Sequence, residues 1–156
     1  MNNYKSHFIK EELVTKVVSI DTSTQPLWGK MNLQQMVEHM SRDAFRVASG
    51  KISFPLMTPA EHIAKMQEFI RSDKPFKENT VNRLMAEEPV PTVYSNIEAA
   101  LAELQSEIDY FFEVYAQQPD LKFINPFFGE LDAALQVDLL YKHALHHLRQ
   151  FGVSVS

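Results

Sequence analysis

The chain contains no cysteine. It therefore has no disulfide bonds, no thiolate ligands for a metal and no cysteine nucleophile. Any transition metal would have to be bound by imidazole or carboxylate groups. Glycine is also scarce, with 4 residues in 156, and Val, Ile and Thr seldom cluster. This composition favours helices over sheets.

Long apolar runs and a surplus of basic residues are missing as well. No stretch approaches the roughly 20 apolar residues of a membrane-spanning helix, and the first residues do not resemble a signal peptide. The formal net charge of −5 disfavours binding to the phosphate backbone of nucleic acids. We therefore expect a cytoplasmic protein with neither a membrane nor a nucleic acid as its partner.

Five segments, separated by proline-containing loops, carry apolar residues at helical spacing. The length suits a single domain covering residues 1–156. The predicted helices run from Tyr4 to Ile20, from Asn32 towards Gly50, from Thr58 to Ile70, from Ser95 to Gln117 and from Asp132 to Phe151. Capping patterns mark three of the starts: Asn32 with Gln35, Thr58 with Pro59 and Glu61, and Ser95 with Glu98.

Four of these helices are long. The connection between the second and third long helices contains the short helix at Thr58 and a stretch from Ser72 to Val93, which is rich in proline and is predicted to be irregular. The pattern predicts an all-α fold, a four-helix bundle with one long crossover connection.

Three of the six histidines lie close together in the last predicted helix. His143 and His147 are four residues apart, so they project from nearly the same face, one turn from each other, as two imidazole ligands of one ion do. Both lie at the margin of the apolar stripe, whereas His146 falls nearly opposite and is expected to face solvent. The alternative is that the pair only forms hydrogen bonds at the edge of the core.

His39 occupies a comparable marginal position on the second helix. If the two helices meet, His39, His143 and His147 would form an open three-histidine metal site of the catalytic kind. Alternatively, His39 is a hydrogen-bonded residue at the core boundary. Residue 144 is alanine, which disfavours a zinc protease of the His-Glu-x-x-His type, whose glutamate is the general base.

Several polar residues near these histidines are candidates for supporting roles. Gln35 and Gln150 lie one turn from His39 and His147, and each could hydrogen-bond a ligand or the substrate, although Gln35 could instead be used for capping. The candidate general bases, each of which is more often a solvated helix charge, are Glu38, Asp43 and Glu130.

Two other groups of residues have competing explanations. Trp28, Phe127 and Phe128 either line a pocket or, as we favour, pack the loops against the helices. Arg149 either meets an anionic substrate or, as its helical position favours, forms a surface salt bridge. His7 and His62 are predicted to lie on the surface.

Three segments in order resemble one known superfamily. They are Trp28-Gly29-Lys30-Met31-Asn32 leading into Gln35-Met36-Val37-Glu38-His39-Met40, then Asn125-Pro126-Phe127-Phe128-Gly129, and finally His143-Ala144-Leu145-His146-His147-Leu148-Arg149-Gln150-Phe151-Gly152. Together they cover nearly the whole chain and are similar to the DinB-like superfamily, in particular to a subgroup of unknown function.

The resemblance implies a four-helix bundle with a divalent ion, usually zinc or nickel, on three histidines that match His39, His143 and His147. Relatives of known activity are transferases and isomerases that use low-molecular-weight thiols such as bacillithiol, mycothiol or glutathione, and others are described as metal-dependent hydrolases. Homodimers are common among them. The subgroup often has histidine where this chain has Asn125, which puts a supporting or substrate role there in doubt.

We therefore expect a metal-dependent enzyme acting on a small molecule, either as a hydrolase or as a thiol-dependent S-transferase or isomerase. The ion would act as a Lewis acid on water or on a substrate thiol. The alternative is a non-catalytic bundle that binds metal or associates with a protein partner.

Overall fold

The computed structural model describes residues 3–78 and 88–155, and this part of the chain is mostly helical. The predicted all-α class is thus confirmed at the level of helix content. The helices are α1 (residues 3–18), α2 (residues 33–48), α3 (Ile63–Arg71, preceded by a 3-10 turn at Ala60–His62), α4 (Ile97–Gln117) and α5 (Ala133–Gln150).

Both of the first two helices contain a wide π-helical turn. In α1 this turn covers Phe8–Glu12, between the α-helical parts Asn3–His7 and Leu13–Val18. In α2 it covers Met40–Phe45, between Leu33–His39 and Arg46–Ala48. Such turns take one more residue than an α-helical turn and occur often at functional sites.

The cap of α2 is the one that the sequence predicts. The Asn32 side chain accepts a hydrogen bond from the Gln35 backbone N–H at 2.8 Å, and the Gln35 side chain accepts one from the Asn32 N–H at 2.9 Å. Asp132 caps α5 in the predicted place by accepting from the Leu135 N–H. Polar side chains thereby satisfy two backbone N–H groups at the start of α2 and one at the start of α5.

The predicted starts of the third and fourth helices were wrong by one to a few residues. Thr58 makes no side-chain cap, since a 3-10 turn follows Pro59 and the α-helix begins only at Ile63. Asn96, rather than Ser95, caps α4 by accepting from the Ala99 N–H at 2.9 Å. Adjacent Ser and Asn are both good caps, so sequence alone ranks them poorly.

A short antiparallel hairpin, which the sequence analysis missed, connects α4 to α5. Its strands are β1 (Phe123–Asn125) and β2 (Gly129–Leu131). The Asn125 carboxamide oxygen accepts hydrogen bonds from the N–H groups of Phe127 and Phe128, at 2.9 and 3.2 Å, and so shapes the turn. Asn125 therefore has a structural role, and the side chain of Phe128 is buried in a small cluster with residues of α3 and α5.

The four long helices share one apolar core. The expected apolar stripes are buried, with Leu104, Ile108 and Phe111 of α4 fully inaccessible. Helix α1 packs against α4 and α5, and α2 packs against α4, which brings the wide turn of α2 next to α5. Burial of this apolar surface is the main stabilising contribution to such a fold. The core members supplied by α5 are Val137, Leu140, Ala144, Leu148 and, just beyond it, Phe151.

The connection between α3 and α4 is tied to the helices at both of its described ends. The Lys142 ammonium of α5 donates to the carbonyl oxygens of Ser72 and Lys74, and it lies 4.2 Å from the centre of the Phe69 ring. The predicted irregular stretch from Ser72 to Val93 shows no helix or strand at residues 72–78 and 88–93, and residues 79–87 lie outside the described part. Within that part, no helix combines the length and the apolar character needed to cross a bilayer.

Candidate metal centre

Three imidazole rings from two helices converge at one point. His39 of α2 faces His143 and His147 of α5, and one ligand atom from each of them lies within 4.8 Å of the others. The Nε2 atom of His143 is 3.3 Å from Nε2 of His39 and 2.8 Å from Nε2 of His147. His39 and His147 are buried, and His143 is partly exposed. These three histidines therefore form a cluster that could hold a metal ion.

The spacing of the nitrogens matches a shared ion. Two nitrogens that each lie about 2.1 Å from one ion are separated by roughly 3.0 Å when the angle at the ion is about 90°, and by roughly 3.4 Å when it is tetrahedral. The two separations in the structure, 2.8 and 3.3 Å, lie near this range. Coordination would thus require only small movements of the rings.

A carboxylate fixes the orientation of His39. The Nδ1 atom of His39 lies 2.9 Å from Oδ2 of Asp43, and a carboxylate can only accept, so Nδ1 carries the proton. The lone pair is therefore on Nε2, the atom that faces the other two rings. Burial raises the pKa of Asp43, but the hydrogen bonds from His39 and Arg42 outweigh it and hold that pKa below its usual value. Asp43 is thus an anionic support for His39 rather than a free general base.

An amide fixes the orientation of His147 in the same way. The Gln150 amide nitrogen donates to the Trp28 carbonyl oxygen at 3.0 Å, which leaves the amide oxygen to face Nδ1 of His147 at 2.8 Å. Because that oxygen only accepts, Nδ1 of His147 is the donor and its Nε2 also presents a lone pair. Partners of this kind are typical of metal-binding histidines, since they set the tautomer and the ring orientation. Gln150 is buried, with 4% of its surface exposed.

The three facing Nε2 atoms carry too few protons to hydrogen-bond one another. Nε2 of His39 and Nε2 of His147 both present lone pairs towards Nε2 of His143. One N–H on His143 can serve only one of these two lone pairs well, whereas a cation would attract all three nitrogens. The donor set thus fits a divalent ion that accepts imidazole ligands.

The cluster also favours the uncharged form of the two rings of α5. Burial, together with the neighbouring imidazoles, lowers the pKa of both His143 and His147 well below the usual value for histidine. Neutral imidazole is the form that binds metal, so these ligands need not lose a proton near pH 7.

Two of the remaining polar candidates serve the fold. Gln35 uses its side chain for the α2 cap and for a 3.3 Å hydrogen bond to the Val90 carbonyl. Glu38 is not a solvated helix charge as predicted. It is buried, and it accepts hydrogen bonds from the backbone N–H groups of Val93 and Tyr94. Glu38 therefore holds the start of the α4 region against α2.

Other residues lie as predicted or close to the prediction. Glu130 is exposed on β2, and its carboxylate is 4.0 Å from the ammonium of Lys122. His7 and His62 are exposed, as expected from the sequence.

His146 does not face solvent, contrary to the prediction from the helical wheel. Its ring is partly buried between those of Trp28 and Phe76, with centre-to-centre distances of 5.5 and 5.9 Å. Phe76 also contacts His143, at 6.1 Å. The wheel failed because it considers one helix alone, and here two loop segments cover the polar side of α5. The burial of His146 can be recognised only from its contacts with these loops, which a helical wheel does not include.

The comparisons with known proteins give no family. No family model, curated protein or solved structure matches the chain. Function must therefore be inferred from the geometry of the site and from the sequence resemblance described above.

Proposed function

We propose that the chain is a metal-dependent enzyme in which His39, His143 and His147 bind one divalent ion, zinc or nickel. The observation that carries the proposal is the convergence of three Nε2 atoms, two of which are held as lone-pair donors by Asp43 and Gln150. Both supports leave the lone pair of Nε2 facing the other rings, which is the arrangement that a shared cation requires.

We also propose that the chain has the fold of the DinB-like superfamily. Four long helices around one core, with a long connection between the second and third, agree with a four-helix bundle of the DinB-like type. The three sequence segments that resemble this superfamily supply the histidine cluster, the Trp28 loop and the hairpin turn. Homodimer formation is a further expectation from the same resemblance.

The proposed chemistry is a reaction of a small molecule, either hydrolysis or thiol-dependent transfer or isomerisation. When bound, a divalent ion supplies Lewis acidity, which makes water or a cosubstrate thiol a better nucleophile near neutral pH. The residues of the chain contribute the ligand positions and keep His143 and His147 uncharged. Phe76 and the Trp28 loop cover part of the site and limit its contact with water.

Metal content is the first test. The protein should be purified without an affinity tag and its metals measured by elemental analysis, for the parent chain and for His143→Ala. We expect about one equivalent of zinc or nickel in the parent and a large loss in the variant. His62→Ala removes an exposed histidine and is the matched control, which should keep the metal. A parent protein that stays metal-free even after incubation with either ion would contradict the proposal.

Activity is the second test. Thiol conjugation and the hydrolysis of esters and amides should be assayed with metal-free and reloaded protein. The proposal expects at least one activity that depends on the metal and is lost in His143→Ala.

One observation favours a second candidate, a non-catalytic metal-binding or interaction module. The two carboxylates nearest to His39 in sequence are both engaged, Glu38 by backbone N–H groups and Asp43 by His39 and Arg42. Metal binding without any turnover, together with a specific protein partner, would support this candidate instead.

A further inference from the structure

His146 lies on α5 next to the histidine cluster and Arg149 follows it by three residues in the same helix, and the proposed metal site uses neither of them. His146 is stacked between Trp28 and Phe76, and its ring centre is 5.1 Å from that of His147. Any group bound at His146 would therefore lie beside the proposed metal site.

The hydrogen-bonding capacity of His146 is unused. Its Nδ1 atom is buried without a partner, and among residues 3–78 and 88–155 its Nε2 atom has none either. Buried N–H groups are rarely left unpaired, so the proton belongs on Nε2, on the part of the ring that is still accessible. His146 thus offers one N–H donor between two aromatic side chains.

Arg149 offers a positive charge to the same place. It is partly buried, and the predicted surface salt bridge is not found among residues 3–78 and 88–155, where its guanidinium has no hydrogen-bond partner either. It is three residues beyond His146 in α5, so the two side chains are neighbours on the helix surface. Lys142 lies on the same side of α5, but its ammonium is already engaged by two backbone carbonyls.

We propose that His146 and Arg149 form a binding subsite for the carboxylate of a small ligand whose apolar part packs against Trp28 and Phe76, on either side of His146. A guanidinium and an adjacent N–H are the donors that carboxylates prefer, and such charge-assisted bonds are the stronger kind. One arginine suits a singly charged group better than a phosphate dianion. The identification of this ligand as the substrate rests on the proposed function. The binding of the ligand to His146 and Arg149 does not require the metal.

Trp28 makes the proposal directly testable, because it is the only tryptophan of the chain and lies beside His146. Benzoate, benzyl alcohol and inorganic phosphate should be titrated into chelator-treated and zinc-loaded protein while tryptophan fluorescence is recorded. We expect a saturable change with benzoate and at least about tenfold weaker binding of the uncharged alcohol. Equal binding of benzoate and the alcohol, or tighter binding of phosphate, would contradict the proposal.

Variants assign the binding to the two residues. Arg149→Gln should weaken benzoate binding about tenfold or more, and Arg149→Lys should fall between that variant and the parent. Arg71→Gln, which removes the same charge from an exposed position on α3, is the control and should bind like the parent. Because His146→Gln changes the surroundings of Trp28 itself, benzoate binding to this variant should be measured by calorimetry. We expect its affinity for benzoate to be lower than that of the parent chain. Circular dichroism should verify that the Arg149 variants are folded. If the folded variants bind benzoate with the affinity of the parent chain, the proposal is overturned.

The two proposals can fail separately. Benzoate binding to metal-free protein that depends on Arg149 would support the subsite even if no metal ever bound. Conversely, metal bound by the three histidines with no effect of Arg149 on benzoate would leave the proposed function intact and remove the subsite.

Discussion

Nδ1 of His39 and Oδ2 of Asp43 are 2.9 Å apart, and this hydrogen bond turns the other nitrogen of His39 towards the two histidines of α5. The carboxylate comes from the wide turn that follows His39 in the same helix. It also holds a bidentate contact from Arg42, so its own position is well defined.

Removing the charge of Asp43 should weaken metal binding without unfolding the protein. Asp43→Asn keeps the size of the side chain but no longer stabilises the imidazole, and we expect the metal affinity to fall about 10- to 100-fold. Competition with a chromophoric chelator measures this affinity. Asp109→Asn, at an exposed position of α4, is the control. Equal affinities of Asp43→Asn and the parent would show that Asp43 does not support the site.

Gly29 should be sensitive to a methyl group because of its neighbour Gln150. Gly29 and Gly152 have φ angles of 77° and 81°, so alanine at either position costs about 1–2 kcal/mol of folding free energy. At Gly29 the new Cβ would also lie 2.9 Å from the Gln150 amide nitrogen, whereas at Gly152 it would meet nothing within 4 Å.

We therefore expect Gly29→Ala to lower both stability and metal affinity, since Gln150 orients His147. Gly152→Ala should lower stability alone. Urea denaturation and chelator competition on both variants make the comparison. Metal affinity that is the same in the two variants would mean that the Gln150 contact has no part in positioning His147.

Acidification should destabilise the metal-free protein. The folded-state pKa of His143 and His147 lies well below the unfolded value of 6.5, and that of His146 is about 4. Below pH 6.5 the unfolded chain therefore binds more protons than the folded one, so the free energy of unfolding falls as the pH falls towards the folded-state values. Above about pH 6.5 these groups contribute no further change.

Urea denaturation at several pH values between 7.5 and 4.5 measures this dependence. His147→Gln should give a shallower fall than the parent chain, and His62→Gln should follow the parent. A pH dependence unaffected by His147→Gln would show that this ring is not kept neutral by the fold.

Lys142 should control the order of the segment that carries Phe76. Lys142→Met keeps the apolar stem but removes the donor to the carbonyls of Ser72 and Lys74. We expect residues 72–76 to lose about 1–3 kcal/mol of local stability, the contribution of hydrogen bonds from a charged donor. This loss should appear as faster hydrogen exchange. Lys65→Met, an exposed change on α3, is the control. Unchanged exchange at 72–76 would show that other contacts hold the segment.

The sequence predicted the helices and the shared face of His143 and His147 because both follow from short-range periodicity, whereas the approach of His39 was expected only if the two helices met. His143 and His147 had to share a face of α5, and the Asn32–Gln35 cap follows from the residue types at fixed spacing. The supports of the site could be predicted only in part. Gln150 was a candidate partner by its distance from His147, but its second bond, to the Trp28 carbonyl, joins residues 122 positions apart.

The two errors about solvent exposure share one physical origin, which is burial by loops. Glu38 and His146 lie on polar helix faces, where a helical wheel predicts solvent. The segments at residues 93–94 and 76 cover those faces, and their placement depends on tertiary contacts that leave no periodic signal. The hairpin was missed for a related reason, since strands of three residues are too short for alternation to be recognised.

The wide turn at Met40–Phe45 ties the length of α2 to the geometry of the site. His39 precedes this turn and the core residue Phe45 closes it, so the extra residue determines how the two are rotated about the helix axis relative to each other. Deleting one residue there would restore a regular helix but turn His39 by roughly 100° from its partners while Phe45 stayed in the core. Homologous chains should therefore vary in the length of their loops but keep the residue count of this helix fixed.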